Sequence, residues 1–154
     1  MYEDLTVLSA FSGLGGLDLG LEAAGFRHVG CIEHDEFARR SLKANRGDVW
    51  ELLDPGDITA LAPMLEPDTL GLKQRELGLI AGGPPCQPFS KAAQWSAAAR
   101  VGLRDVRSHC LLDFLDLIEV FLPRALLIEN VSGFVQGEVS ALGLIEKGVR
   151  QKRR

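Results

Sequence analysis

Three short runs of almost wholly apolar residues, each leading into glycine or an acid, constrain this chain more than any other feature. They are Leu5-Thr6-Val7-Leu8-Ser9-Ala10, Leu77-Gly78-Leu79-Ile80-Ala81-Gly82 and Arg124-Ala125-Leu126-Leu127-Ile128-Glu129. A strand with water on one face alternates apolar and polar residues. A run that is apolar throughout belongs to a strand covered on both faces, as in parallel sheets flanked by helices.

The intervening segments supply the helices. Leu17 to Ala24 has apolar residues at 17, 19, 21, 23 and 24, and Gly25 is a natural stop. His28–Glu33 reads as a second strand and Glu36–Ala44 as the next helix. Ser108–Phe121 reads as a later helix closed by Pro123. The stretch 46–74 is interrupted by prolines and supports at most a short strand near Val49–Leu52 or Asp57–Ile58. Five strands joined by right-handed crossovers make an α/β fold with an open, doubly wound, mostly parallel sheet. With 154 residues, one domain is expected.

Charge narrows the function classes. The net charge is -4, from 17 basic and 21 acidic residues. Five of the basic ones (Lys147, Arg150, Lys152, Arg153 and Arg154) fall in the last eight positions, leaving 12 basic against 21 acidic groups in residues 1–146. A domain so acidic does not hold nucleic acid by bulk charge. A nucleic-acid role then requires a local site, or a partner that brings the positive surface. No apolar run approaches the ~20 residues of a membrane span, and the N-terminus reads Met1-Tyr2-Glu3-Asp4, without the pattern of a secretory signal. Cys31, Cys86 and Cys110 are spaced for neither a disulfide framework nor a C-x-x-C metal site. The expectation is a cytoplasmic protein with reduced thiols, no membrane and no metal.

The first strand opens into Phe11-Ser12-Gly13-Leu14-Gly15-Gly16-Leu17, ahead of a helix. Glycines there let the backbone approach a ligand, and the helix N-terminus offers free N–H groups. Glu33, 20 residues after Gly13, ends the second strand, where a carboxylate can accept hydrogen bonds from a ribose diol. The dinucleotide fingerprint fails, because its third glycine falls at Asp18. That spacing places a nicotinamide oxidoreductase last among the readings and favours an adenosyl ligand, with a plain tight turn as the alternative.

Gly82-Gly83-Pro84-Pro85-Cys86-Gln87-Pro88-Phe89-Ser90 fixes the backbone around one thiol at the carboxyl end of a strand. Open α/β sheets place their sites on that edge, and rigid loops suit nucleophiles. A buried, inert cysteine is the alternative. Glu129-Asn130-Val131 ends the last apolar run, so the Glu129 carboxylate should emerge on the same edge. A thiol beside a carboxylic acid suits attack on a heteroaromatic ring, with the acid assisting at a ring nitrogen. Glu129 could equally be a helix N-terminal acid.

Taken together, these residues resemble the DNA (cytosine-5)-methyltransferases, which use S-adenosyl-L-methionine. Phe11-Ser12-Gly13-Leu14-Gly15-Gly16, Glu33-His34-Asp35 and Asp57-Ile58 are similar to the family's first three motifs. Gly83 to Ser90 is similar to the fourth, Gly102-Leu103-Arg104-Asp105-Val106-Arg107 to the fifth, and Glu129-Asn130-Val131 to the sixth. The resemblance implies Cys86 as nucleophile toward C6 of a flipped-out cytosine and Glu129 as the acid at N3. It implies a cofactor pocket from Phe11, Gly13, Gly15, Glu33, His34, Asp57, Ile58 and Pro85, and substrate contacts from Gln87, Ser90, Arg107 and Asn130.

Two departures accompany it. Ser9-Ala10 stands where the family has an Asp-Leu pair, and the parts that follow the sixth motif, including the target-recognition domain, have no counterpart here. The resemblance therefore implies a partial methyltransferase domain over 1–137, truncated after about the fifth strand, with 138–154 a short helix or disordered basic tail. Its partners would be DNA and a second polypeptide supplying target recognition, since some members are split. A non-catalytic remnant that at most binds the cofactor, and an RNA cytosine methyltransferase, are the alternatives.

Overall fold

The computed structural model describes residues 5–85 and 106–131, with the side chains of 106–108 left aside. Four strands, β1 (Thr6–Ala10), β2 (Arg27–Ile32), β3 (Leu79–Gly82) and β4 (Ala125–Ile128), form one sheet in the order β2-β1-β3-β4. Every pairing is parallel. Around it run helices α1 (Gly16–Ala23), α2 (Glu36–Arg46), the single turn α3 (Ile58–Leu61) and the long α4 (Val106–Phe121). The expected boundary at residue 138 lies outside the described residues.

β1 is buried along its whole length, which explains its lack of alternation. Its side chains divide between two layers. Leu8 and Ala10, with Ile80 of β3, pack on Phe114, Leu117, Ile118 and Phe121 of α4 and on Ile58 and Leu61 of α3. Val7, with Leu79 and Ala81, packs on Leu21 of α1, backed by Leu17 and Phe26. Helices thus cover both faces, and the sheet is doubly wound. The chain leaves β1 toward β2 on one side and reaches β3 on the other, so the carboxyl ends of β1 and β3 flank a topological switch point.

Local chemistry sets the helix ends. α1 stops in a Schellman arrangement: Gly25, with φ +91°, donates to Glu22 O, and Phe26 N donates to Leu21 O. Asp35 caps α2 by accepting from Ala38 N at 2.8 Å, and Lys43 and Arg46 occupy its last turn, where cations favour the helix dipole.

The weak stretch resolves differently from a full strand. Leu52 makes an isolated parallel bridge to Cys31 on the outer edge of β2, with Cys31 N donating to Glu51 O and Leu53 N to Cys31 O. Asp54-Pro55-Gly56 then breaks the extension, and Asp57 caps α3, its side chain accepting from Thr59 N. Among the described residues the fifth strand is reduced to that bridge, because proline removes a ladder donor. No helix among the described residues is long and apolar enough to cross a membrane.

Phe114 is fully buried, touching the sheet at Gly82 and the ring of Phe11, with 6.0 Å between ring centroids. Phe114→Ala is expected to destabilise the fold by about 3–5 kcal/mol, measured as a lower denaturation midpoint in urea.

Candidate active site

The site forms where the strand ends converge. After β1 the chain turns through Phe11 and Gly13 at positive φ (58° and 54°) and reaches Gly15 at φ 84°, the N-cap of α1. The glycines have separate tasks. A Cβ on Gly13 would meet nothing within 4 Å, so its side is open to a ligand. A Cβ on Gly15 would meet Leu42 and Trp50 at 2.9 and 3.0 Å, so this glycine serves helix packing as well as the turn.

Glu33, just past β2, is 9% exposed and both its carboxylate oxygens are engaged. Oε2 accepts from Gly13 N at 2.6 Å and Oε1 from Asp35 N at 2.7 Å. Each oxygen keeps a further lone pair, so a fixed carboxylate faces the loop with acceptor capacity left over. The open side of Gly13 and these free lone pairs fit an adenosyl group with its ribose diol. His34 beside Glu33 is exposed. Asp57 and Ile58 lie across from Glu33, joined to it through Gly56, where a Cβ would overlap Glu33 O. The Ile58 side chain is buried in the core, 3% exposed. What this position can offer a ligand is its backbone.

The other strand ends meet on the same edge. Glu129 N donates to Gly82 O at 3.0 Å, and the Asn130 side chain donates to Pro84 O at 2.7 Å. A Cβ on Gly83 would come within 3.1 Å of Glu129 Oε2. The Glu-Asn-Val and Gly-Gly-Pro-Pro segments are therefore in direct contact, and Pro85 is half-buried beside them. Gly82 itself has no room for a Cβ, which would lie 2.7 Å from Ala10 O. Cys86, Gln87 and Ser90 lie outside the described residues; Arg107 is in the first turn of α4, its side chain likewise outside them.

Two features and the role of one expected residue were not singled out by pattern. Arg39 reaches back from α2 to the end of β2, donating to Glu33 O. The Asn130 amide fastens the proline loop. The third is a buried polar cluster behind the glycine loop, where Asp18 Oδ1 lies 3.1 Å from His28 Nε2, the two residues 0% and 6% exposed. The Trp50 ring packs on His28, with 4.7 Å between centroids. Asp18, His28 and Cys31 bring their donor atoms within 4.8 Å of one another, one donor short of the closed four-ligand set of a structural zinc site. Only the odd placement of an acid and a histidine in otherwise apolar periods could have signalled them.

Burial, and then the Asp18 charge, push the Cys31 thiol up to about 12, against a lowering hydrogen bond with Ser12. A thiol whose folded pKa exceeds its unfolded one stabilises the fold below the unfolded pKa and loses that contribution as pH rises through the folded one. Stability is expected to fall from about pH 9 toward pH 12, with a slope of up to about 1.4 kcal/mol per pH unit. Cys31→Ala should remove that component in denaturant titrations across this range, and a slope unchanged in Cys31→Ala would contradict it.

Residues 5–141 match the family described as C-5 cytosine-specific DNA methylase. The chain is 35% identical over 129 residues to the type II methyltransferase M.AquIA of Picosynechococcus, an overlap of 84% of this chain and 49% of that one. It is 34% identical over 133 residues to the type II methyltransferase M.Sau96I of Staphylococcus aureus, covering 86% of this chain and 28% of that one. A solved structure described as a DNA modification methyltransferase encoded within an E. coli prophage superposes with a TM-score of 0.69 at 27% identity, over 97% of this chain and 38% of that chain. The chain thus spans half or less of the length of these relatives.

Proposed function

The chain belongs to the C-5 cytosine-specific DNA methylase family, and from that premise we propose that it supplies the cofactor-binding and catalytic part of a DNA (cytosine-5)-methyltransferase. The observation that carries this reading is the contact between the Glu129-Asn130 and Gly83-Pro84 segments at the carboxyl edge of the sheet. It brings a carboxylate beside Gly83, three residues before Cys86 in the sequence.

In this reading Glu33 accepts the ribose hydroxyls of S-adenosyl-L-methionine. Phe11, Gly13 and Gly15 shape the loop around it, His34 packs on the adenine, and Asp57 with the Ile58 backbone meets the adenine edge. Pro85 borders the methionine portion. When bound, this group supplies an electrophilic methyl on a sulfonium. Cys86, as thiolate, forms a bond to C6 of a cytosine turned out of the duplex. Glu129 hydrogen-bonds N3 and shares a proton with it, so that electron density from the new C–S bond collects at C5. After C5 is methylated, its proton is lost to base and the C6–S bond breaks, returning the thiolate. Gln87, Ser90, Arg107 and Asn130 contact the substrate, with Ser90 and Arg107 at the phosphates or ordering the loop. Extruding the base costs a few kcal/mol, which loop contacts offset.

The chain corresponds to half or less of these relatives, and the full activity is proposed to require a complementing carboxyl-terminal part that carries target recognition. β4 offers it a seat. Among the described residues this strand has a neighbour on one side only, and Leu127 and Val131 are 39% and 47% exposed. An unpaired apolar edge accepts another strand or aggregates. The chain alone is expected to sediment as oligomers, and co-expression with a carboxyl-terminal fragment from a relative to shift it to a defined heterodimer. A stable, monodisperse monomer in ultracentrifugation contradicts this.

The cofactor reading is tested by calorimetry with S-adenosyl-L-methionine. Glu33→Ala is expected to weaken binding by at least about tenfold while retaining the far-ultraviolet dichroism of the wild type. Equal affinity in both proteins rejects the assignment. In the complemented enzyme, Cys86→Ala is expected to abolish trapping on DNA containing 5-fluorocytosine, and Glu129→Gln to slow methyl transfer by about 10²–10⁴-fold.

A further inference from the structure

The guanidinium of Arg39 joins two segments that the proposed pocket needs at a fixed spacing. Its side chain is 21% exposed, low for an arginine on a surface helix. Nη1 donates to Glu33 O at 3.1 Å and to Leu53 O at 3.0 Å, while Nη2 donates to Asp54 Oδ1 at 2.5 Å. The first acceptor belongs to the residue whose carboxylate is held by Gly13 and Asp35. The other two open the Leu53-Asp54-Pro55-Gly56 segment that delivers Asp57. Gly56 closes the contact: a Cβ there would overlap both Glu33 O and Arg39 Nη1. A planar fork holds its donors in fixed directions toward three acceptors, a geometry that the three donors of a lysine ammonium on a flexible stem do not reproduce.

We infer that Arg39 is a positioning residue for the nucleoside half of the site. It sets the distance between Glu33 and the Asp57–Ile58 backbone, and thereby how strictly the purine edge is read. This inference rests on the adenosyl pocket proposed above and adds to it a determinant of base specificity outside the motifs. Arg46, about two turns further along the same helix, provides the contrast: it pairs with Glu22 at 3.4 Å and lies over the Trp50 ring, and among the described residues it makes no hydrogen bond to Glu33 or to the Leu53–Asp57 segment.

The test measures affinities of S-adenosylhomocysteine and S-inosylhomocysteine for the full chain by calorimetry, with melting temperatures alongside. The wild type is expected to prefer the adenosyl ligand. In Arg39→Met that preference should fall by about tenfold, the scale of one misplaced hydrogen bond, with Arg39→Lys intermediate. Arg46→Met should lower the melting temperature and leave the preference unchanged, which separates positioning from general stabilisation. Should Arg39→Met fail to fold, Asp54→Ala takes its place, since the Asp54 side chain is 85% exposed and its loss frees Nη2 without opening the core. A preference unchanged in the folded variants overturns the inference and leaves the pocket standing. Absence of binding to either ligand by the wild type overturns the pocket and the inference together.

Discussion

The Glu33 carboxylate, accepting from Gly13 N and Asp35 N, is the interaction on which the rest of this site depends. It joins the loop after β1 to the end of β2, two segments adjacent in the sheet but 20 residues apart in sequence. Both donors are orphans of local structure, one in a turn before α1 and one at the N-cap of α2, and leaving either unpaired would cost about 1–3 kcal/mol. Asp35 then caps α2, and one turn into that helix Arg39 returns to Glu33 O. A short series of hydrogen bonds thus builds this wall of the site.

The opposite wall depends on close backbone approach. β1 and β3 can sit side by side at their carboxyl ends because Gly82 presents no Cβ to Ala10 O or to Phe114. That closeness lets β4 deliver Glu129 beside Gly83 and lets Asn130 tie down Pro84. Packing of α4 on this side and α1 on the other holds both walls to the same sheet edge, the place where a doubly wound fold leaves a crevice. The acidic balance of residues 1–146 means that this part of the sequence offers little long-range attraction for a phosphate backbone.

Much of this was legible beforehand for definable reasons. β1 and β3 announced themselves because strands buried on both faces need uninterrupted apolar runs, and α1 ended where Gly25 could adopt positive φ. The place of Glu33 at the end of β2 followed from a spacing that βαβ geometry imposes, while its hydrogen bond from Gly13 N did not. The stretch 46–74 was opaque because its structure is set by contacts rather than periodicity. Leu52 becomes a bridge only because Cys31 presents its edge, and Ile58 is drawn into the core by α4. Arg39 and the Asp18–His28 pair left no periodic trace, since one buried polar contact between distant segments changes no pattern.

The sequence by itself determined the layer architecture, the order of the elements and the chemical identity of the groups brought to the sheet edge, because these depend on local periodicity, turn chemistry and motif spacing. Only the tertiary structure decided which glycine faces open space and which faces Trp50. It also decided that Ile58 can offer backbone alone, and that Arg39 spans Glu33, Leu53 and Asp54. Those outcomes depend on where non-adjacent segments meet, and hydrogen bonds between distant groups are short-ranged and directional, so they exist only once the chain has packed.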